Sequence, residues 1–343
     1  MKERNCSIDM FRLLAAVIVV ICHVHMFQEV NEQLYMSVSQ QFPRFTVPFF
    51  FGVAGYYYIG GLLKGKVTLG KQLKGLLRVY ITWSLIYYAA SFCMNIILGD
   101  GDLITFLVER VVFLFTEGGY SHMWYMVSLI YALIIITAAY KLGGEKGLQF
   151  ISVFGIVMTV ICALGCVYYP YGSQIPVLNR LYDSSVFPYV MKWLGMGVPY
   201  VSLGYFVIKL ENREKKFSDR NVWIGWGIAW ALFFAEIALI VWGIGYYERR
   251  ELNISVYLLT IMNLIILLRN PLPQYKELAG LGKSLSGFIY FSHPLVIMIV
   301  EKAFEIMGIG IHSVVMYVIV IAVTGLGGYI LTKSNWSIKK YLM

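Results

Sequence analysis

Long apolar runs recur along the whole sequence, and they restrict its fold more than any other feature. A helix needs ~20 apolar residues to cross the hydrocarbon of a bilayer, and runs of this length in lipid are helical because helices satisfy their own backbone hydrogen bonds. We identify ten such runs: Met10–Phe27, Thr46–Leu63, Leu76–Leu98, His122–Tyr140, Gln149–Tyr168, Tyr189–Ile208, Val222–Trp242, Leu252–Leu268, Leu285–Val300 and Val314–Leu331. The sequence therefore predicts an all-α integral membrane protein with about ten transmembrane helices, in which residues 1–343 form a single polytopic domain.

The basic residues predict how these helices are oriented. If the N-terminus lies in the cytoplasm, the cytoplasmic loops and both termini hold twenty Lys and Arg residues, the outer loops hold seven, and Arg12 lies within the first run. This asymmetry follows the positive-inside rule and predicts cytoplasmic N- and C-termini. It also accounts for the net charge of +9, so we expect the lipid bilayer of the cell membrane as a partner and no nucleic acid.

Composition agrees with a protein of many spans. Hydrophobic residues are 59% of the chain and charged residues 14%, whereas soluble domains have roughly 45–50% and 25%. Four of the five cysteines lie in apolar runs, and their spacings match no metal motif. We interpret them as small buried hydrophobic residues without a disulfide framework.

Two further stretches do not fit as spans. Leu103–Phe115 is apolar but short and is interrupted by Glu109 and Arg110, so we expect an amphipathic or re-entrant segment on the outer side. Tyr169–Pro188 is rich in Tyr, Pro, Gly and Ser. It is either a lid over an outer opening or a plain connector.

The first apolar run carries polar groups that are costly in hydrocarbon and that mark functional sites by default. Arg12 and His23 are eleven residues apart, about three helical turns and roughly 16 Å, so they share one face. Asp9 lies one turn before Arg12 on the same side. The alternative is that Asp9 and Arg12 are interfacial residues at a helix end and that His23 is a hydrogen-bonded packing residue.

Two other histidines open or interrupt apolar runs. His122 precedes Trp124 and Tyr125, where a neutral imidazole would act as a base or a donor, although the two aromatic residues also suit a membrane-interface belt. His293 precedes Pro294, which breaks the helical hydrogen-bond ladder. A histidine beside such a break is difficult to explain by packing alone.

A metal site at the three histidines is not expected. We place His23 and His122 towards the outer leaflet and His293 nearer the middle, and no carboxylate is positioned to complete a site. Glu236 lies deep in the seventh run, where a carboxyl must be protonated or paired. It is either a proton relay or a buried hydrogen-bonding acid.

A basic cluster separates the second and third runs. It has two interpretations: lipid-headgroup contact that follows from the positive-inside bias, or a phosphate-binding patch for an anionic cosubstrate. Lys71, Lys74 and Arg78 are the candidates for phosphate binding, and Arg78 is the strongest because a guanidinium binds phosphate bidentately.

Four motifs together resemble the membrane acyltransferase-3 family. They are Arg12 and His23 in the first run; Val47–Tyr57, similar to V-P-x-F-F-x-x-S-G-Y but with Ala54 at the usual serine; His122-Met123-Trp124-Tyr125; and Gly282-Lys283-Ser284 followed by Tyr290 and His293-Pro294. The resemblance covers nearly the whole chain and agrees with ten spans.

The resemblance implies transfer of an acyl group, usually acetyl from acetyl-CoA, to a hydroxyl of a cell-surface glycan, a lipid-linked sugar or a small molecule, in a bacterium. His23 would be the base and Arg12 would help to position the donor. Acyl transfer needs a base near neutral pKa, donors for the oxyanion and cations for the phosphates. We assign His23, His122 and His293 to catalysis, and Arg12, Arg78, Lys71 and Lys74 to acyl-CoA on the cytoplasmic side. Substrate contacts are expected from Asp9, Trp124, Tyr125 and Tyr290.

The second run also resembles the membrane half of the serine racemases of vancomycin-resistance operons, which belongs to the same superfamily and is linked to amino-acid uptake. Those proteins carry a soluble racemase domain after the last span, and we expect none here. The competing hypothesis is therefore a transporter for a small solute such as serine, without chemistry. A transporter would have broken helices around a midplane site.

Overall fold

The chain folds into helices and connecting turns, without a strand in the residues that the structure describes, 5–97, 102–213, 218–249 and 251–342. The structure is a computed structural model. Its long helices are α1 (Cys6–His23), α2 (Thr46–Leu63), α3 (Leu69–Phe92), α4 (Leu103–Thr116), α5 (Trp124–Leu164), α6 (Val198–Arg213), α7 (Asp219–Ala238), α8 (Ser255–Leu268), α9 (Lys276–Ile306) and α10 (Ser313–Lys333). The predicted all-α class is confirmed.

Seven helical stretches of the described chain are long and apolar enough to cross a membrane. They are Cys6–His23, Glu32–Leu63, Leu103–Leu164, Phe187–Glu211, Asp219–Ile244, Lys276–Ile306 and Ser313–Lys333. The longest of them, 62 residues, combines α4 and α5, and the apolar helix α8 is shorter than the others. A membrane protein with several spans is thus supported, whereas the number ten and the cytoplasmic termini stay predictions.

Glycine sets the path of α5, which covers the fourth and fifth predicted spans. The backbone of Gly144 leaves the helical region, with φ 58° and ψ −137°. A Cβ atom at Gly147 would lie 1.9 Å from the carbonyl oxygen of Ala139. The chain therefore folds back at Gly144, and α5 consists of two arms rather than one rod.

Helices α1 and α9 pack side by side and run in the same direction. A Cβ atom at Gly282 would lie 2.4 Å from the Asp9 carbonyl oxygen, so glycine permits the close contact near the N-terminal ends of both helices. Further along, the rings of His23 and His293 meet. Since α9 begins at Lys276 instead of the predicted Leu285, His293 lies about two turns deeper in its helix than the sequence suggested.

Small residues bring α2 against α6. The Cβ position of Gly55 lies 1.9 Å from the Val201 carbonyl oxygen, and that of Gly204 lies 2.4 Å from the Gly55 carbonyl carbon. Small residues between membrane helices allow the two backbones to approach this closely. The bounds of α2 are those predicted from the sequence, Thr46–Leu63.

Helix α3 begins at Leu69, about two turns before the predicted start of the third span. Lys71 and Lys74 are therefore on a helix rather than in a loop, and Arg78, which lies within the predicted span, is on the same helix. The predicted end of that span, Leu98, lies outside the described residues.

The short segment predicted as amphipathic forms α4, whose apolar side chains Ile104, Val108 and Val111 are exposed. Tyrosine hydroxyls from neighbouring helices donate to its carbonyl groups: Tyr80 to Leu114, Tyr88 to Arg110 at 2.8 Å and Tyr131 to Phe115 at 2.8 Å. These bonds fix one side of α4 to α3 and α5 and leave its apolar side uncovered within the chain.

The connector at 165–188 is ordered into short helices, Tyr169–Gly172, Pro176–Tyr182 and Phe187–Val190. Arg249, in the connector between α7 and α8, binds these short helices. Its guanidinium lies 4.0 Å over the Tyr169 ring and donates to the Tyr182 carbonyl and to Asp183 at 3.0 Å each. We call these contacts the Arg249 clasp.

Candidate active site

Three histidines from separate parts of the chain form one cluster. The ring centroid of His23 lies 4.9 Å from that of His293 and 6.4 Å from that of His122, and the rings of His122 and His293 are 5.5 Å apart. The expectation that His293 lies at a different depth was wrong, because α9 begins earlier than predicted.

The end of α1 positions His23. The helix stops at this residue, and the backbone then turns through His25 and Phe27, which both have positive φ. The turn is held from outside: Ser39 donates its hydroxyl to the Ile21 carbonyl, and the Phe27 N–H donates to the Ser313 hydroxyl, each at 2.9 Å. His23 thus lies at a fixed helix terminus.

A tyrosine that sequence reasoning missed supports His293. Pro294 has no N–H, so the helical ladder of α9 is interrupted at this turn. The Tyr87 hydroxyl donates to the Phe291 carbonyl at 2.6 Å and accepts from the Leu295 N–H at 3.2 Å. It thereby bridges the broken turn, while His293 Nδ1 lies 3.0 Å from the Ile289 carbonyl oxygen.

The third histidine precedes α5 in a short 3₁₀ turn, Ser121–Met123. Its carbonyl accepts a hydrogen bond of 2.7 Å from the Tyr290 hydroxyl. Within the described residues, neither ring nitrogen of His122 has a hydrogen-bond partner, and neither has Nε2 of His293. The Phe291 carbonyl lies near the His122 ring, but outside normal hydrogen-bond geometry. These nitrogens are free to bind a substrate.

A cavity of about 280 Å³ is lined by His23 and His122 but not by His293, and we call it the histidine cavity. Its polar lining consists of Cys22, His23, Arg44, Thr46, Glu117, Ser121, His122, Lys192 and Glu251. Lys192 donates to both carboxylate oxygens of Glu117, at 2.5 and 2.6 Å. The cavity therefore presents carboxylates and cations beside the imidazoles.

A second cavity, of about 570 Å³, carries the basic residues Arg12, Lys71 and Lys283, and we call it the basic cavity. Arg12 also contacts Asp9, with 3.5 Å between Nη1 and Oδ1. Ala54, at the position of the usual serine, contributes to the lining. Cations grouped in a cavity of this size favour an elongated anionic ligand.

Three aromatic rings pack together at the wall of the basic cavity that adjoins His122. Tyr125 and Tyr290 are 5.6 Å apart, and Phe50 lies 6.4 Å from Tyr125 and 6.2 Å from Tyr290. All three line the basic cavity, and Tyr290 lies 5.6 Å from His122 on the other side. We call these rings the aromatic partition.

The structure brings together most of the residues predicted for the site. Trp124 lines the histidine cavity, Tyr125 and Tyr290 form part of the partition, and Lys71 faces the basic cavity. In the described chain, Lys74 and Arg78 do not line that cavity. The Arg78 guanidinium instead lies 5.7 Å over the Tyr341 ring. Lys283 was not predicted as a ligand, although its place in the motif around Gly282 was a signal.

The hydrogen bonds of Glu236 favour the second of its two alternatives, a buried hydrogen-bonding acid. It accepts from the Tyr168 hydroxyl at 2.5 Å, from the N–H groups of Ile254 and Ser255 at 2.8 Å each, and from the Ser255 hydroxyl. The two N–H groups belong to the N-cap residue and the first residue of α8, the helix end where a negative charge is stabilised. Glu236 lines neither described cavity at the histidines.

No group of three His, Cys, Asp or Glu side chains in the described parts of the chain could hold a metal ion. The expectation of a metal-free site stays a prediction. All five cysteines are free thiols, but Cys22 lies at the cavity beside His23 and Cys93 is exposed, so they are not uniformly buried.

Comparison with known proteins connects this geometry to a family. Residues 5–333 match the acyltransferase domain of the Acyl_transf_3 family. The chain belongs to the acyltransferase-3 family. The match runs through all four motifs, and it includes every residue that forms the three-histidine cluster.

Relatives of this acyltransferase-3 protein carry a different name. It is 26% identical over 336 residues to an amino-acid racemase of Enterococcus faecalis, covering 94% of this chain and 45% of that protein. It is 27% identical over 140 residues to a serine/alanine racemase of Enterococcus gallinarum, covering 39% and 20%. The chain thus spans less than half the length of these relatives. No solved structure matches it.

Proposed function

We propose that the protein is a multi-pass enzyme of the bacterial plasma membrane that transfers an acyl group from acyl-CoA to a hydroxyl. The acyl group is acetyl in the first instance, and the acceptor is a cell-envelope glycan, a lipid-linked sugar or a small molecule. The convergence of His23, His122 and His293 one aromatic partition away from a basic cavity supports this proposal. Ten spans with cytoplasmic termini would place the Arg12 end of α1 inside and the His23 end outside.

Each part of the site has a role in this chemistry. Arg12, Lys71 and Lys283 would bind the phosphates of CoA from the basic cavity. The acyl end would pass the partition and reach the histidine cluster. His23 would take the proton of the acceptor hydroxyl. The ring N–H of His122, which lacks a partner in the described chain, would donate to the oxygen of the tetrahedral intermediate. His293 gives its Nδ1 proton to the Ile289 carbonyl, so its Nε2 would accept a hydrogen bond from the substrate.

The first test uses purified protein in detergent with radiolabelled acetyl-CoA, wild type beside His23→Ala. The matched control is His312→Ala, since His312 is a half-exposed loop histidine 3.1 Å from Glu29. We expect hydrolysis or transfer of the label with wild type and His312→Ala, and its loss in His23→Ala. Equal turnover in His23→Ala would contradict the assigned base.

A second function, movement of a small amino acid such as serine, has one observation in its favour. The histidine cavity presents Arg44 and Lys192 together with Glu117 and Glu251, and opposite charges of this kind suit the two ends of a zwitterion. The relatives are also named amino-acid racemases. Serine uptake into proteoliposomes, without acetyl-CoA binding or turnover, would favour this function over acyl transfer.

A further inference from the structure

The histidine cavity contains a thiol that the roles above leave unused. Cys22 lines it next to His23, and both side chains are only half-buried because they face this space. Its Sγ donates to the Val19 carbonyl oxygen at 3.0 Å, and the adjacent residue His23 lines the same cavity. A thiol and an imidazole that face one cavity are the groups from which an activated cysteine nucleophile is built.

A second side chain in the same cavity indicates that a polar group binds there. His122 is 3% exposed, and neither of its ring nitrogens has a hydrogen-bond partner in the described part of the chain. A buried donor without a hydrogen-bond partner destabilises the fold, so the position of His122 is explained if a ligand oxygen accepts its ring N–H. A carbonyl oxygen next to Cys22 would do so.

The size of the cavity favours two separate steps. At about 280 Å³ it is at the lower limit of ligand pockets, which run from roughly 300 to 1,000 Å³. The thioester end of acyl-CoA and a hydroxyl acceptor would compete for this space. A covalent carrier in the cavity removes the competition, since CoA leaves before the acceptor binds.

We propose that Cys22 carries the acyl group as a thioester intermediate, a step that rests on the proposed acyl transfer. His23 takes the proton from Sγ, Sγ bonds to the acyl carbon, and the bond between that carbon and the CoA sulfur breaks. The CoA thiolate takes the proton from His23 and leaves as free CoA.

The second half-reaction regenerates the thiol. His23 takes the proton of the acceptor hydroxyl, and the acceptor oxygen bonds to the acyl carbon. The bond from that carbon to Sγ breaks, and the proton on His23 returns to Sγ. One thioester is exchanged for another and then for an ester, without an oxidant or reductant. Direct transfer from CoA, with Cys22 as a small packing residue, is the alternative.

The test is performed on the full chain in detergent with labelled acetyl-CoA and no acceptor. After an acid quench, we expect label on the protein that neutral hydroxylamine releases, and mass spectrometry should locate one acetyl group on the peptide with Cys22. Labelled free CoA should also exchange into acetyl-CoA. The control is Cys93→Ala, which removes an exposed thiol distant from the cavity lining.

Two variants of the cysteine complete the experiment. We expect Cys22→Ala to lose the label, the exchange and about 100-fold or more of the transfer. Cys22→Ser keeps the shape of the side chain, so its loss of transfer with an unchanged Tm separates chemistry from folding. Transfer within twofold of wild type in either variant, or label on another cysteine, overturns the intermediate.

The outcomes also separate this proposal from the function on which it rests. If His23→Ala abolishes transfer and Cys22→Ala does not, transfer is direct and the proposed function stands. If no protein turns over acetyl-CoA, the acyltransferase assignment fails, and the intermediate fails with it.

Discussion

The histidine cluster and Glu236 are both deeply placed polar groups that the sequence marks as functional, and they differ in their hydrogen bonds. Glu236 accepts four hydrogen bonds, three of them from Ile254 and Ser255 at the start of α8. At His122 both ring nitrogens lack a partner in the described chain, as does Nε2 of His293. A buried polar group with complete hydrogen bonds supports the fold, whereas one with incomplete bonds is available to a ligand.

The difference has an energetic consequence. Leaving a buried donor or acceptor unsatisfied costs about 1–3 kcal/mol, and native structures contain few such groups. The N–H groups at the start of α8 avoid this cost because Glu236 accepts from them. The histidine cluster bears the cost because ring nitrogens of His122 and His293 lack partners in the described chain. Functional sites are where a fold tolerates such a cost.

The largest expected effect is on the transfer rate, and it tests the histidine cluster, which contains ring nitrogens without hydrogen-bond partners in the described chain. His122→Phe keeps a ring in the cluster and removes both nitrogens, so we expect transfer to fall by about 10²–10⁴-fold. Because the nitrogens contribute no hydrogen bond to the fold, Tm should stay equal or rise. The measurements are initial rates with labelled acetyl-CoA and thermal unfolding in detergent. A drop in Tm with transfer intact would reverse the assignment of His122.

Glu236, whose hydrogen bonds are complete, should show the opposite pattern: its substitution should lower stability and leave transfer unchanged. Glu236→Ala leaves the Ile254 and Ser255 N–H groups and the Tyr168 hydroxyl without their acceptor. We expect the free energy of unfolding to fall by about 3 kcal/mol, with the transfer rate per folded molecule unchanged.

Glu236→Gln is the matched control, since its amide oxygen still accepts part of the set. The Tm should be highest for wild type, lower for Glu236→Gln and lowest for Glu236→Ala. A stable Glu236→Ala protein without transfer would instead make Glu236 a proton relay.

A smaller effect sharpens the comparison at the basic residues. Lys71 and Lys74 are both exposed, but of the two only Lys71 lines the basic cavity. We expect Lys71→Ala to raise the KM for acetyl-CoA about fivefold with kcat unchanged, which corresponds to about 1 kcal/mol of binding. Lys74→Ala should change the KM for acetyl-CoA less than twofold. Equal effects would indicate a general surface attraction for the anion.

The smallest effect concerns the Arg249 clasp. The Tyr169 hydroxyl, which donates to Asp183 at 2.9 Å, and then the Arg249 guanidinium hold the pKa of the Asp183 carboxyl below its usual value of 3.8. A lowered pKa in the folded state gives stability that is present above pH 3.8 and lost as the pH falls through the folded pKa.

Asp183→Asn should therefore lower Tm slightly at neutral pH, and the difference from wild type should vanish in acid. Limited proteolysis of the connector gives a second readout of the clasp. A difference that persists below the folded pKa would show that the carboxylate charge is not its source.

The sequence predicted those parts of the site that a single helix determines. The eleven-residue spacing of Arg12 and His23 follows from helical periodicity, and each residue lines one of the two cavities. The start of α2 at Thr46 was also predicted, since the apolar run is long and its second turn contains the small residues of the motif.

Features that depend on pairs of helices were not predictable from one sequence. The polar residues Lys276 and Glu277 concealed the true start of α9, and this shifted the expected depth of His293. Nothing local distinguishes Tyr87, which bridges the broken turn of α9, from Tyr88, which binds α4. The face of α3 that carries Lys71 could be assigned only after the helix was known to begin at Leu69.

The aromatic partition has a consequence for the cell's electrical balance. If the basic cavity and the histidine cavity open to opposite sides, as we propose, the rings of Phe50, Tyr125 and Tyr290 are the insulator between two aqueous compartments. Each unit charge that leaked past them would dissipate about 2.3 kcal/mol per 100 mV of membrane potential. Under the proposed function, these packed rings would let an acyl group pass while holding back protons and ions, so the chemistry would not discharge the membrane.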